Sequence, residues 1–201
     1  MSSPVPTAPT PITATRMLLG EGKDDKVIFD ALLAHLHIQD VQVESYDGKE
    51  KLATFLEALK VFSGFSNVTK LIVTRDANGD AGAALDSVGY AVSHAAFPNS
   101  LTVKILILPG GGQQGTLETL ILGTISGHPI VPCMDAFFDC ARKAGLAKHD
   151  SLSKQSKARV HAWLATQDTP NLRLGHAVQK GLVDLSSPAL ASLRQSLTDF
   201  F

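Results

Sequence analysis

Lys70–Asp80 reads KLIVTRDANGD. Its first five residues form an apolar, β-branched run, and turn-forming residues follow soon after. That pattern marks a buried strand with an abrupt end. The exit, Arg75-Asp76-Ala77-Asn78-Gly79-Asp80, is acidic and rich in turn formers. Ala81 to Ala96 then reads as a helix, weakened by Gly89. Working outward, the same unit recurs. Arg16 to Gly20 (RMLLG) is a short apolar run closed by glycine, and reads as a buried strand. Asp24 to His37 carries Val27, Ile28, Ala31, Leu32 and Leu36 on one helical stripe. Val41, Val43 and Ser45 alternate with polar neighbours and suggest another strand. Leu52, Phe55, Leu56 and Leu59 give a second amphipathic helix. Val103 to Leu108 (VKILIL) is the last strand, and Pro109 and three glycines follow it. The order β-α-β-α-β-α-β predicts an α/β fold: a mainly parallel four-stranded sheet flanked by helices.

Beyond Gly112 the pattern turns helical, with candidates at Gly115 to Leu122, Met134 to Ala144, Ser156 to Ala165 and Ala189 to Phe200. No linker-like stretch separates them from the first part. They are expected to cap one side of the sheet rather than form a second domain. The expected organisation is a disordered tail over 1–13, an α/β core over 14–125, and a C-terminal helical extension over 126–201. The tail expectation rests on Pro4, Pro6, Pro9 and Pro11 among Ser and Thr.

With 44% hydrophobic and 18% charged residues, the chain is expected to fold as a globule. No apolar run is long enough to span a membrane, and the first residues lack the layout of a signal peptide. A cytoplasmic protein with no membrane partner is expected. Cys133 and Cys140, seven apart in a candidate helix, lie too far apart to bridge and read as small core residues. Tyr46 and Tyr90 read as packing residues. The net charge of −1 argues mildly against tight nucleic-acid binding by the isolated chain. Arg142, Lys143, Lys148, Lys154, Lys157 and Arg159 form only a modest basic cluster.

Ligands of an open parallel sheet bind outside the carboxyl ends of its strands. Acidic residues follow three of the four predicted strands: Glu21, Asp24 and Asp25 after the first, Asp76 and Asp80 after the third, and Glu118 in the helix after the fourth. Taken singly, each has a bland explanation. Asp24 and Asp25 open a helix, where acids suit the dipole. Asp76, Asn78 and Asp80 suit a turn and a helix cap. Gly110 to Gly112 suit any loop, and Glu118 suits a solvated helix face. Converging at one edge, the carboxylates would repel one another until protonated or bridged by a cation. Oxygen-only donors favour Mg²⁺ or Mn²⁺ over zinc.

The same residues resemble the motifs of Toprim domains. Leu18-Leu19-Gly20-Glu21-Gly22-Lys23-Asp24-Asp25 resembles the first motif, a strand followed by Glu-Gly with an acid four residues after the glutamate. Leu71-Ile72-Val73-Thr74-Arg75-Asp76-Ala77-Asn78 resembles the second, a strand ending in Asp-x-Asp, with Asn78 in place of the second aspartate. Gly115-Thr116-Leu117-Glu118 resembles the Gly-x-x-Glu that follows the last core strand in small stand-alone Toprim-like prokaryotic proteins. Those proteins form an uncharacterised family related to the Toprim nuclease of the OLD family. Lys157-Ala158-Arg159-Val160-His161-Ala162-Trp163-Leu164-Ala165 and Leu172-Arg173-Leu174-Gly175 are also similar to it.

The resemblance implies a Toprim-like core and Mg²⁺-dependent (or Mn²⁺-dependent) hydrolysis of phosphodiester bonds in DNA or RNA. It implies that Asp76, with Asn78 or Asp80, holds a metal ion. Glu21 would bind a second ion or act as general base, Asp25 and Glu118 would complete the metal shell, and Lys23 would offset phosphate charge. Asn78 keeps an oxygen donor but loses a charge, which lowers the expected metal affinity. A second reading is therefore a degenerate, non-catalytic Toprim module that binds metal, a nucleotide or a separate ATPase partner. A third is a flavodoxin- or Rossmann-like protein with a small ligand at Gly110 to Gly112. It ranks last, because no Gly-x-Gly-x-x-Gly follows the first strand.

Overall fold

The structure is a computed structural model that describes residues 11–146, 151–169 and 171–201. Lys148 and most of the expected tail lie outside the described residues. Four strands form one sheet: β1 (Arg16–Gly20), β2 (Val41–Ser45), β3 (Lys70–Asp76) and β4 (Thr102–Leu108). The strand order is β2-β1-β3-β4, and every pairing is parallel. The sheet is thus wholly parallel, and the α/β architecture with C-terminal helices is as the sequence predicts.

Among the described residues there are eight α-helices. Three are crossovers: α1 (Lys23–His35), α2 (Leu52–Leu59) and α3 (Ala81–Ala95). The other five follow β4: α4 (Leu117–Thr124), α5 (Ile130–Lys143), α6 (Leu152–Leu164), α7 (Leu174–Gln179) and α8 (Ala191–Phe200). The chain steps from β1 outward to β2, crosses back past β1 to β3, and continues to β4. Right-handed crossovers then put α1 on one face and α2 and α3 on the other. The core divides accordingly. Leu18 and Ile72, paired in register, pack with Ile28, Phe29 and Leu32 of α1. Met17, Leu19, Leu71 and Val73 point the opposite way and pack with Leu56 and Leu59 of α2 and Val88 of α3.

The C-terminal helices join the α1 face. Ile121, Met134, Val160, Trp163, Leu164, Leu174, Ala177, Leu193 and Leu197 share one apolar cluster with Leu18, Ile72 and α1. At the amino ends of the strands, the ammonium groups of Lys70 and Lys104 lie 5.5 and 5.6 Å from the Phe200 ring centre. Both also donate to main-chain oxygens of α8, those of Phe200 and Ser196. Ile12, placed by the sequence in the tail, is instead buried, and its N–H donates to Ser63 O at 2.8 Å.

Two readings of individual residues are corrected. Cys133 and Cys140 are both exposed, because α5 buries only Met134. Periodicity shows that a helix has an apolar face; it does not say what covers it. Tyr90 is 71% exposed and stacks only on His94 of its own helix, whereas Tyr46 is buried as expected.

Gly20 fixes the junction of β1 and α1. A Cβ there would lie 2.7 Å from Asp25 Cβ, so only glycine lets the helix start this close to the strand end. We expect Gly20→Ala to cost ~2 kcal/mol through overpacking. Thermal denaturation would then show a midpoint lower by roughly 6 °C.

Candidate metal centre

The sheet order sets the site. β1 and β3 are neighbours, but the chain leaves them in opposite directions along the sheet. That divergence opens a crevice at their carboxyl ends, where open α/β sheets hold ligands. Glu21 follows β1 directly, and Asp76 is the last residue of β3. The two strand ends are locked together: Thr74 Oγ1 donates to Leu19 O at 2.8 Å, and the Tyr46 hydroxyl donates to Thr74 O at 2.8 Å. Burial and the nearby carboxylates of Glu21 and Asp25 push the Tyr46 hydroxyl well above its ordinary pKa, so it stays a donor.

Asp76 is 8% exposed. Its Oδ1 accepts from the Leu117 N–H at 2.9 Å, which sets the carboxylate at the start of α4. Burial, then the charges of Asp25, Glu118 and Glu21, raise its pKa to about 8. At neutral pH and without a cation, Asp76 therefore holds a proton. Asp25 folds back over the strand end: its Oδ2 accepts from the N–H groups of Glu21 (2.9 Å) and Gly22 (3.1 Å). Burial outweighs these bonds, and its pKa rises to about 6, with Glu118 and Glu21 contributing repulsion. Glu21 Oε2 is buried and accepts no hydrogen bond, a costly state for a carboxylate oxygen. Glu118, in the first turn of α4, reaches the same cluster and faces Lys157 at 4.0 Å.

Four of the predicted residues, Glu21, Asp25, Asp76 and Glu118, thus act on one another electrostatically. Three stand apart. Asp80 is exposed and caps α3, accepting from the Ala83 N–H at 2.9 Å. Asn78 turns its amide onto Asp76 O at 3.3 Å, and its backbone exchanges hydrogen bonds with Gly115 at 2.7 and 2.9 Å. It sits at φ 52°, a left-handed conformation that asparagine tolerates well, which gives a structural reason for Asn at this position. Lys23 is exposed, and its charge acts on Asp47 of the loop after β2.

The donor chemistry fits a hard divalent cation: four carboxylates, one with an orphaned buried oxygen. Among the described residues, however, no three His, Cys, Asp or Glu side chains form a ready metal-holding group. The two facts are compatible, because Mg²⁺ usually takes one or two carboxylates and keeps several waters.

Beside the acids lies a cleft of about 460 Å³, lined by Asp24, Glu118, Lys157, His161 and Arg173 over a floor that includes Leu164 and Leu172. The sequence did not single out its basic side chains as site residues. Lys157 and His161 are four apart on α6, a spacing that puts both on one helix face. Arg173 precedes α7, and only the packing of α7 on α1 brings it to Asp24. That packing is close: a Cβ on Gly175 would lie 2.9 Å from Val27 Cβ. No helix among the described residues is long and apolar enough to cross a membrane.

No curated protein and no solved structure matches the chain. One family pattern does, over residues 15–201. The chain belongs to the family described as protein of unknown function (DUF3226).

Proposed function

We propose that the chain is a Toprim-like, Mg²⁺-dependent protein that hydrolyses phosphodiester bonds in nucleic acid and works in the cytoplasm. The observation that carries this reading is the convergence of Glu21, Asp25, Asp76 and Glu118 at the switch between β1 and β3, where their repulsion holds a proton on Asp76 at neutral pH. Bound there, Mg²⁺ would supply Lewis-acid polarisation of the phosphate. The protein's own groups supply the rest. Glu21, with one oxygen buried and unbonded, is the group suited to take a proton from an attacking water. Leu117 N–H holds the Asp76 carboxylate in one orientation, and the amides of Glu21 and Gly22 hold Asp25.

A second reading, a non-catalytic module that binds metal, a nucleotide or an ATPase partner, has specific support. Asn78 and Asp80 are spent on backbone contacts, and Lys157 already faces Glu118. Two measurements separate the readings. Mn²⁺ at about 100 times its Kd should stabilise the native protein by about 2.7 kcal/mol. The rise in melting temperature should shrink sharply in Glu21→Gln. A melting curve indifferent to Mn²⁺ and Mg²⁺ would sink both readings. Incubation of single- and double-stranded DNA and RNA with Mg²⁺ or Mn²⁺ then decides between them, since only the first predicts cleavage.

A further inference from the structure

We infer that the cleft between α1, α4, α6 and α7 is a phosphate subsite, in which Lys157, His161 and Arg173 hold the backbone of a nucleic-acid strand that runs past the acidic crevice. This deepens the hydrolase reading and rests on it for the chemistry next door. The binding itself can be tested without that chemistry.

The cleft, at about 460 Å³, falls within the roughly 300–1,000 Å³ typical of ligand pockets. Three nitrogen-bearing side chains enter it from two elements, Lys157 and His161 from α6 and Arg173 from the start of α7, and all three are exposed. Their ionic partners are loose. Lys157 stands 4.0 Å from Glu118, and Arg173 Nε stands 3.4 Å from Asp24. Charge-assisted hydrogen bonds close to about 2.7–2.9 Å, so neither pair has the geometry of a closed ion pair. Among exposed side chains such pairs contribute little, and a phosphate offering several strong acceptor oxygens can displace them. A guanidinium engaged mainly through Nε keeps its other donors for a bidentate phosphate contact. The apolar surface of Val160, Leu164, Leu172 and Leu174 beside these groups suits the sugar and base of the same nucleotide.

Glu118 belongs both to this cleft and to the acidic cluster. A phosphate in the cleft would thus lie one side chain away from the acids. A single-stranded segment fits this arrangement better than a rigid duplex, since its phosphates can be drawn separately into a recess. The near-neutral chain predicts modest affinity with a shallow salt dependence, because few phosphates are contacted.

The test is fluorescence anisotropy of a labelled single-stranded DNA dodecamer, titrated with the full chain at low salt in EDTA. Circular dichroism would verify the fold of each variant. Wild type should bind, and the double variant Lys157→Gln with Arg173→Gln should bind at least tenfold more weakly. Its log–log salt slope should be shallower by about 1, as expected when phosphate contacts are lost. Asp24→Asn, which releases Arg173 from its pair, should tighten binding severalfold, an outcome that a merely structural role for Arg173 does not give. Competition by a 5′-mononucleotide and by unlabelled dodecamer tells a single phosphate from a strand as the source. Absence of binding by wild type, or binding indifferent to these substitutions, overturns the inference. Failure to cleave in Mg²⁺, with the binding pattern intact, would fell the hydrolase reading alone.

Discussion

Replacing Asp76 with asparagine is expected to make the metal-free protein more stable at pH 8 and to abolish divalent-cation-dependent cleavage. The stability effect follows from proton linkage. Asp76 has a pKa of about 8 in the folded protein, against an ordinary value of 3.8. Between those values the folded state holds a proton that the unfolded chain has shed. Stability therefore falls as pH rises from about 4 to about 8, where the folded state finally ionises. The contribution lost over that range is on the order of 4 kcal/mol. Asparagine keeps an oxygen to accept from the Leu117 N–H but carries no titrating proton, so the variant's pH profile should be much flatter. Urea denaturation at pH 5 and pH 8 in EDTA measures the difference directly. Cleavage should drop by a factor of about 100 or more, because a polarising carboxylate is gone. A variant whose stability runs parallel to wild type across this range would show that Asp76 is not the proton-holding group. Cleavage that survives it would show that the acidic crevice is not the active centre.

Trp163→Ala should produce the largest loss of stability, about 3–5 kcal/mol. Trp163 is 2% exposed on α6 and packs in the cluster that also contains Leu18 and Ile72 of the sheet and Phe29 of α1. Removing it opens a cavity that neighbours from several elements must line. Because that core is shared, the unfolding transition should shift as a whole rather than split in two. A calorimetric trace with a separate, early transition for the C-terminal helices would instead mean that they fold independently of the sheet.

The strands were legible because buried parallel strands are written as apolar runs with sharp ends. The run Lys70 to Thr74 was found, but β3 continues to Asp76, so the acid belongs to the strand itself. That extension escaped detection because charged residues do not read as strand; here the register with β4 carries them. Helix α7 went unseen because six residues with Gly175 among them carry no usable period. Four members of the acidic cluster were legible from strand-end position alone. The separation of Asp80 from the others was not, since capping and metal binding ask for the same residue type. The basic side of the cleft was least accessible. Nothing near Arg173 in sequence announces Asp24 as its neighbour, and the contact exists only once α7 lies against α1.

The backbone bridge between Asn78 and Gly115 turns a distant pair into near neighbours. Asp76 and Leu117 are 41 positions apart, yet each lies only two residues from the bridge, on opposite sides of it. The stretch from 79 to 114 is in this sense a closed excursion that leaves and returns at one clasp. Insertions at the outer turn near Pro98 to Ser100 should leave the spacing of the acids untouched, whereas a one-residue change beside the clasp would pull α4 out of line with β3.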